Sequence, residues 1–510
     1  MTEVLKKTAE EKTTTGKNGQ HSTLDCINPA TKEVITSIPV DSSDDINNKL
    51  QKIRGGLGYW QSLSLKDRAR FITDVRKKMV ERMYELIDVI CSETGKTRFD
   101  GQSEIMTTAE IMRFVSKKGP KILADESRNP SLLKTKKGYV RHLPSGIVGI
   151  ISPWNYPLIL AAAPVFQALI SGNGVILKPS EYTPLTALKL KEIADSSGFP
   201  PDIFHVAIGT GEVGQQIVGS PETDMICFTG SVGVGRKIAV ACAEKLKPVI
   251  LEMGGKDPMY VADDADLDRA ANAAVWGGFS NAGQTCIAIE RVYIDEKVAD
   301  EFIEKVTALT ENITYGPNGN TYDMGSLSTK MQKDIVLNQI RDAVEKGATV
   351  LTGGEIDESL NGYFIKPTVL ADVDETMDIM TKETFGPEIS IVKVKNDKEA
   401  LEKMNSLSYG LNASIFTSDK RRARMMSRKI RAGNICINDV LSNYLCVELP
   451  FGGMGISGIG RMQGEEGIKA FAQIQSVCED RFGMKKELWW FPSSSRIKRL
   501  FKSLIKIRYG

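Results

Sequence analysis

One cysteine, one glutamate and one asparagine stand where covalent catalysis with a water-activating base would want them. Asn281-Ala-Gly-Gln-Thr-Cys286 sets a thiol just after a glycine-containing break, between a helical pattern and the strand-like Ile289–Ile294. A thiolate on such a turn can project into a crevice, and a helix end or nearby dipoles lower its pKa from about 8.5. Cys26, Cys91, Cys227, Cys242, Cys436, Cys446 and Cys478 compete with it. Most free cysteines are small core residues, so the residues alone leave both readings open. Glu252, in Glu252-Met-Gly-Gly-Lys256, follows the apolar run Val249–Leu251. A carboxylate at the carboxyl end of a strand is a candidate base, or else an exposed salt-bridge partner. Asn155 lies between the prolines of Pro153-Trp-Asn-Tyr-Pro157, where its amide either donates to a ligand oxygen or caps the following helix. The three histidines, His21, His142 and His205, are far apart, and the eight cysteines show no CxxC spacing. A histidine triad or a zinc site is thereby excluded, and no metal is expected.

Two glycine-rich stretches can approach a phosphate. Gly209-Thr-Gly211-Glu-Val-Gly214 follows a strand pattern and opens a helix, but Ser231–Arg236 lacks the acidic residue that a dinucleotide fingerprint places about 20 positions on. Phe228-Thr-Gly-Ser-Val-Gly-Val-Gly235 is the better loop, because Gly230 and Gly235 let backbone come close and the next helix offers free N–H groups. The alternative is a turn whose glycines serve only helix–strand packing.

These groups need a scaffold, and the pattern around them supplies one. From Gly146 onward, strands are predicted at Ile147–Ser152, Val175–Leu177, Ile203–Val206, Met225–Phe228 and Val249–Leu251. Helices between them fall at Leu158–Ile170, Pro184–Ser196, Gly211–Val218 and Val234–Leu246. Such alternation predicts a parallel sheet with helices on both faces, with the helical region Asp44–Lys118 packed on it. A second series runs from about Asp266 to Asn438. Its helices are Leu267–Ser280, Lys297–Thr310, Lys330–Lys346 and Lys420–Ala432, and its strands Arg291–Ile294, Ala348–Leu351, Ser390–Val394 and Ile435–Asn438. Two α/β domains follow, with the chemistry expected in the crevice at strand carboxyl ends. The length of 510 residues allows two to four units of this kind at ~100–200 residues each. Lys+Arg 66 against Asp+Glu 64 excludes a globally basic nucleic-acid binder. Scattered cysteines suit reduced thiols and a cytoplasmic setting. Leu143–Leu177 carries no charge, yet its four prolines and several glycines suit a buried strand–helix–strand unit, not a membrane helix. Residues 1–23 are polar and read as a disordered arm.

In order along the chain come Pro153-Trp-Asn-Tyr-Pro157, Lys178-Pro-Ser-Glu181, Phe228-Thr-Gly-Ser231, Leu251-Glu-Met-Gly-Gly-Lys256, Gly283-Gln-Thr-Cys286, Glu383-Thr-Phe-Gly-Pro387 and Pro450-Phe-Gly-Gly453. This series resembles the aldehyde dehydrogenase superfamily over roughly Leu24 to Phe482. The resemblance implies a Rossmann-like NAD-binding domain (24–124 and 144–254), an α/β catalytic domain (255–471), and a small β oligomerisation hairpin near Asp125–Leu143 with 472–484. It implies Cys286 as the nucleophile on the aldehyde carbonyl, Asn155 and the Cys286 N–H as oxyanion donors, and Glu252 as the base that hydrolyses the thioester. For the cofactor it implies Lys178 and Glu181 at the adenosine ribose, Ser231 at the pyrophosphate and Glu383 at the nicotinamide ribose. Trp154, Gly209, Gly230, Gly235 and Phe385 complete that set. A carboxylate at Glu181 repels a 2′-phosphate, so NAD is expected over NADP. Met253 replaces the family's usual leucine, and Gly455 stands where many members carry lysine.

The substrate positions implied by the same resemblance are Tyr156, Leu160, Ala163, Thr285, Ile287, Leu445 and Phe451, all uncharged. A semialdehyde with a distal carboxylate would want a guanidinium there, so an apolar aldehyde, long-chain fatty or aromatic, is expected. Succinate semialdehyde, or release of the thioester to CoA, is the alternative on the same fold. A non-enzymatic NAD-binding scaffold is the alternative of another class. A homodimer or homotetramer is expected. Beyond the resemblance, Leu488-Trp-Trp-Phe-Pro492 leads into Arg496–Tyr509, with apolar residues at helical spacing among basic ones; this basic amphipathic tail suits a membrane surface or the oligomer itself.

Overall fold

The computed structural model describes residues 13–14, 22–317 and 321–510. The expected N-terminal arm lies outside the described residues, except that Thr13–Thr14 pair antiparallel with Thr23 and Leu24 and that Ser22 is described. The chain forms two compact units. One joins the segment up to Leu123 with Leu143–Gln473; the other joins Ala124–His142 with Ile474–Gly510.

The first unit holds two large sheets and a small antiparallel one of Thr13–Thr14, Thr23–Ile27 and Val34–Pro39. In the first, strands run in the order Gly458–Ile459, Val249–Met253, Met225–Gly230, Ile147–Ile151, Gly174–Lys178, Phe204–Val206, parallel except for the short Gly458–Ile459. Both faces are covered, which is why these strands read as unbroken apolar runs. Val148, Ile150, Val175, Leu177, Met225 and Cys227 turn to one core under the helices Leu65–Glu81, Arg98–Ile122 and Ile159–Ile170. Their neighbours Ile147, Ile176, Ile226 and Phe228 turn to the other, under Ser43–Ser62, Gly211–Gly219 and Val232–Glu244. That is the period of two that a strand imposes. The uncharged stretch is indeed strand, helix and strand, and among the described residues no helix is long and apolar enough to cross a membrane.

The second sheet has the order Thr349–Thr352, Thr368–Ala371, Glu388–Val394, Ile289–Asp295, Asp257–Val261, Asn412–Phe416, Asn434–Ile437. Only the first pair is antiparallel. Three of its strands escape the sequence pattern. Asp257–Val261 is the clearest case, since Pro258 argues against a central strand. The proline is tolerated because the ladder to Ile289–Asp295 shifts register at Asp257/Pro258, where no hydrogen bond from Pro258 is required. The helix expected over Lys420–Ala432 ends at Ser427, and Ile430 and Ala432 join the core from irregular chain.

The second unit contains a three-stranded sheet in the order Ala472–Asp480, Lys136–Pro144, Glu126–Arg128, and the helix Ser495–Tyr509.

Candidate active site

In the first sheet, consecutive crossovers run from Ile147–Ile151 outward to Phe204–Val206, and the chain then returns to place Met225–Gly230 on the other side of Ile147–Ile151. Ligands of open parallel sheets bind where the strand order reverses in this way. The loops that leave these two strands carry Trp154 and Asn155 in one case and Ser231 in the other, and Glu252 lies in the adjoining strand. A cavity of ≈ 620 Å³ opens there. It is lined by Trp154, Asn155, Lys178, Glu181, Glu252 and Cys286, and by Gly230, Ser231, Glu383, Phe385 and Leu160. Such a volume suits a ligand of cofactor size.

Cys286 comes from the second sheet, and its placement corrects the expectation that the chemistry gathers at strand carboxyl ends. Its turn precedes Ile289–Asp295, and Glu383 likewise precedes Glu388–Val394. The carboxyl edge of one sheet therefore supplies Asn155 and Glu252, and the amino edge of the other supplies the thiol.

The Cys286 turn is held by left-handed backbone. Asn281, Ala282 and Gly283 have φ of 54°, 55° and 72°. A Cβ on Gly283 would fall 2.0 Å from the Gly386 carbonyl oxygen, so only glycine fits. Gln284, fully buried, donates to the Asn281 carbonyl at 2.9 Å and accepts from Ser328 N–H at 2.8 Å. Asn155 Nδ2 donates to the Gln284 carbonyl at 2.9 Å. One of its two amide hydrogens is spent there, which orients the other. The capping role that the sequence left open for Asn155 falls to Glu104, whose Oε1 accepts from Leu158 and Ile159 N–H at 2.7 and 3.0 Å. Lys96 pairs with Glu104 at 3.0 Å, donates to the Asn155 carbonyl at 2.8 Å and lies 4.3 Å from the centre of the Tyr156 ring. Both charged side chains are fully buried. Neither sits in a motif, and no local signal marks them.

Glu252 is 3% exposed, and burial pushes its carboxyl up to about 8 although it accepts a hydrogen bond from the Cys286 thiol. Burial, with Glu252, Asp257 and Glu383 nearby, raises the thiol well above its usual range. The thiol is thus the protonated partner of a base that titrates near neutrality, an arrangement suited to proton transfer at the moment of attack.

Among the residues expected to hold the cofactor, Lys178 meets Glu181 at 3.1 Å and Trp154 meets Phe385 edge to face at 5.5 Å. Ser231 begins the helix Val232–Glu244, and its hydroxyl makes no capping bond to it. That hydroxyl and the open N–H groups of the first turn fit an anion such as a pyrophosphate. Glu290 holds the Glu383 turn by accepting from Thr384 and Phe385 N–H at 3.0 and 2.9 Å. Gly211 and Gly214 line the cavity, whereas Gly209 and Gly235 do not. A Cβ on Gly235 would lie 2.3 Å from Met253 Sδ, so this glycine serves packing against the methionine that replaces leucine. Gly455 also has a steric reason. Its φ is 61°, and a Cβ would lie 2.3 Å from the Ser408 carbonyl oxygen.

Of the seven substrate positions, Leu160 lines the cavity, and the Tyr156 hydroxyl lies 2.9 Å from Thr285 Oγ1. Phe451 packs edge to face on Tyr444 at 4.8 Å. Ala163 and Ile287 are buried in the cores, and Leu445 is exposed on a short turn. Among the described residues no cluster suited to a metal occurs.

The aldehyde dehydrogenase family profile matches residues 16–477. A Mycolicibacterium smegmatis protein described provisionally as succinate-semialdehyde dehydrogenase [NADP(+)] is 37% identical over 89% of this chain and 90% of its own. A 4,4'-diapolycopene aldehyde oxidase of Methylomonas is 33% identical over 96% of this chain and 92% of its own. The crystal structure of an NAD-dependent aldehyde dehydrogenase from Sinorhizobium meliloti superposes with a TM-score of 0.88 at 33% identity, covering 94% of this chain and 96% of that one.

Proposed function

We propose, on the premise that this chain belongs to the aldehyde dehydrogenase family, that it oxidises long apolar aldehydes to carboxylic acids through a covalent bond to Cys286. NAD(P)-dependent aldehyde oxidation is the activity of the family to which the chain belongs. The observation that carries the finer reading is the Cys286 thiol hydrogen-bonded to Glu252 beside Asn155, at a cavity large enough for a dinucleotide.

The steps follow from the chain's own groups. Glu252 takes the thiol proton as the sulfur bonds to the carbonyl carbon. The displaced electron pair settles on the oxygen, where the second Asn155 amide hydrogen and the Cys286 N–H receive it. NAD or NADP, when bound, would supply the hydride acceptor; Ser231 and the Val232–Glu244 helix would hold its pyrophosphate, and Lys178, Glu181 and Glu383 its ribose hydroxyls. Loss of hydride leaves a thioester on Cys286. Glu252, having passed its proton to solvent, deprotonates a water that releases the acid and the thiol. A carboxylate at Glu181 favours NAD, since a 2′-phosphate would be repelled there.

Three features support an apolar substrate. No arginine lines the cavity; Leu160 stands in its wall, Tyr156 bonds to Thr285 beside Cys286 and Tyr444 lies near the thiol with Phe451 packed on it; and the Methylomonas relative is named for a long polyene aldehyde. The chain further works as a homodimer or homotetramer through the small sheet, whose Ala472–Asp480 strand is exposed along most of its length. NADH formation across aldehydes of increasing chain length tests the substrate, with succinate semialdehyde and CoA as comparators. We expect kcat/KM to rise about fourfold per methylene until the apolar space beside Cys286 is filled. Faster turnover of succinate semialdehyde than of any apolar aldehyde would sink the reading, and dependence on CoA would replace hydrolysis by acylation.

A further inference from the structure

No residue of the helix Ser495–Tyr509 is buried and all but the half-buried Ile497 are exposed, although Ser494 caps it by accepting from Ile497 N–H. At about 100° per residue, Ile497, Leu500, Phe501, Leu504, Ile505 and Ile507 fall on one half of its circumference, and Arg496, Lys498, Arg499, Lys502 and Lys506 on the other; Arg508, in the last turn, falls on the apolar half. Leu504, Ile505 and Ile507 are 51%, 58% and 83% exposed. Trp489, Trp490 and Phe491, just before the helix, are exposed as well. An apolar stripe of this extent left in water calls for a partner.

Charge and length say which partner. Residues 488–510 hold six Lys/Arg and no acid, against +2 for the whole chain, so the remainder is acidic on balance. A second copy of the helix would bring the same six cations against these. Anionic headgroups take the cationic half while the acyl layer takes the apolar half, and tryptophans favour the boundary between the two. Fifteen helical residues reach about 22 Å, short of the ~30 Å hydrocarbon core, so the helix can lie on a bilayer but not span it. We infer that residues 488–510 dock this protein on an anionic lipid surface. The inference rests on the tail alone and stands apart from the choice of aldehyde, though a membrane would present apolar aldehydes where they partition.

Sedimentation of the full chain with vesicles of phosphatidylglycerol and phosphatidylcholine, and with phosphatidylcholine alone, tests it. Binding at least tenfold tighter to the anionic vesicles is expected, weakening as salt is raised, with a blue shift in tryptophan emission. Deletion of residues 488–510 removes both, and so does a chain carrying Lys498→Glu, Arg499→Glu, Lys502→Glu and Lys506→Glu. Turnover of a short water-soluble aldehyde in the absence of lipid stays unchanged in both variants, which separates lost docking from lost fold. Equal sedimentation of the truncated chain, or no preference for the anionic vesicles, overturns the inference. A deletion that splits the oligomer while lipid binding survives assigns the apolar face to a second copy and overturns it too. Vesicle binding by a chain inactive on every aldehyde would refute the proposed function and leave the docking intact.

Discussion

At Cys286 and Glu252 the chemistry turns on where one proton sits. Burial raises Glu252 to about 8, and only its carboxylate form can accept a proton. Its ionised fraction therefore falls about tenfold per pH unit below that value, and kcat should decline with it as pH drops from 9 to 6. Glu252→Gln should remove steady-state turnover and the first burst of NADH as well, because the same carboxylate takes the thiol proton and activates the water. A flat pH profile in the native chain, or full turnover in the variant, would show that another group activates the water. Asn155→Ala should lower kcat about a hundredfold with little change in KM, corresponding to ~3 kcal/mol for one oxyanion donor. The types and order of these residues are readable in the sequence. The pKa of Glu252 is not, because desolvation arises only when distant segments close over it.

Among the elements, the buried Lys96–Glu104 pair joins the helix Arg98–Ile122 to the Asn155 loop. Glu104→Gln leaves Lys96 with a weakened partner in a dry site, where loss of one member of a buried pair costs about 3–5 kcal/mol. A lower Tm is expected, together with a fall in kcat as the loop relaxes. Replacing both residues, Lys96→Met with Glu104→Leu, should restore much of the Tm but not kcat. Recovery of both would mean that the pair serves stability alone and does not position Asn155. Alternation of apolar runs and helical patterns made most of the first sheet legible, and the helix Pro184–Ser196 has the expected bounds. Asp257–Val261 was not legible, since a proline in a central strand is tolerated only through a register shift, which is a property of the pair of strands.

At the scale of the molecule, the cavity is lined from both large sheets of the first unit, so an occupant ties them together. NAD at about a hundred times its Kd should stabilise the fold by ~2.7 kcal/mol, read as a rise in Tm. NADP at the same concentration should give less, and Glu181→Ala should narrow the difference. An equal shift from both cofactors in the native chain would remove Glu181 as the discriminating group. By itself the sequence offered Cys286, Glu252 and Asn155 as candidates and determined their order and the alternation of strand and helix, because residue type and local periodicity are written in neighbouring positions. Only the tertiary structure decided that the thiol stands on the amino edge of one sheet facing the carboxyl edge of another. It alone decided that Glu104 rather than Asn155 caps the helix, and that burial raises the Glu252 carboxyl to about 8. Those outcomes depend on burial and on contacts between residues more than a hundred positions apart, or on a cap some fifty positions away, and no local pattern encodes them.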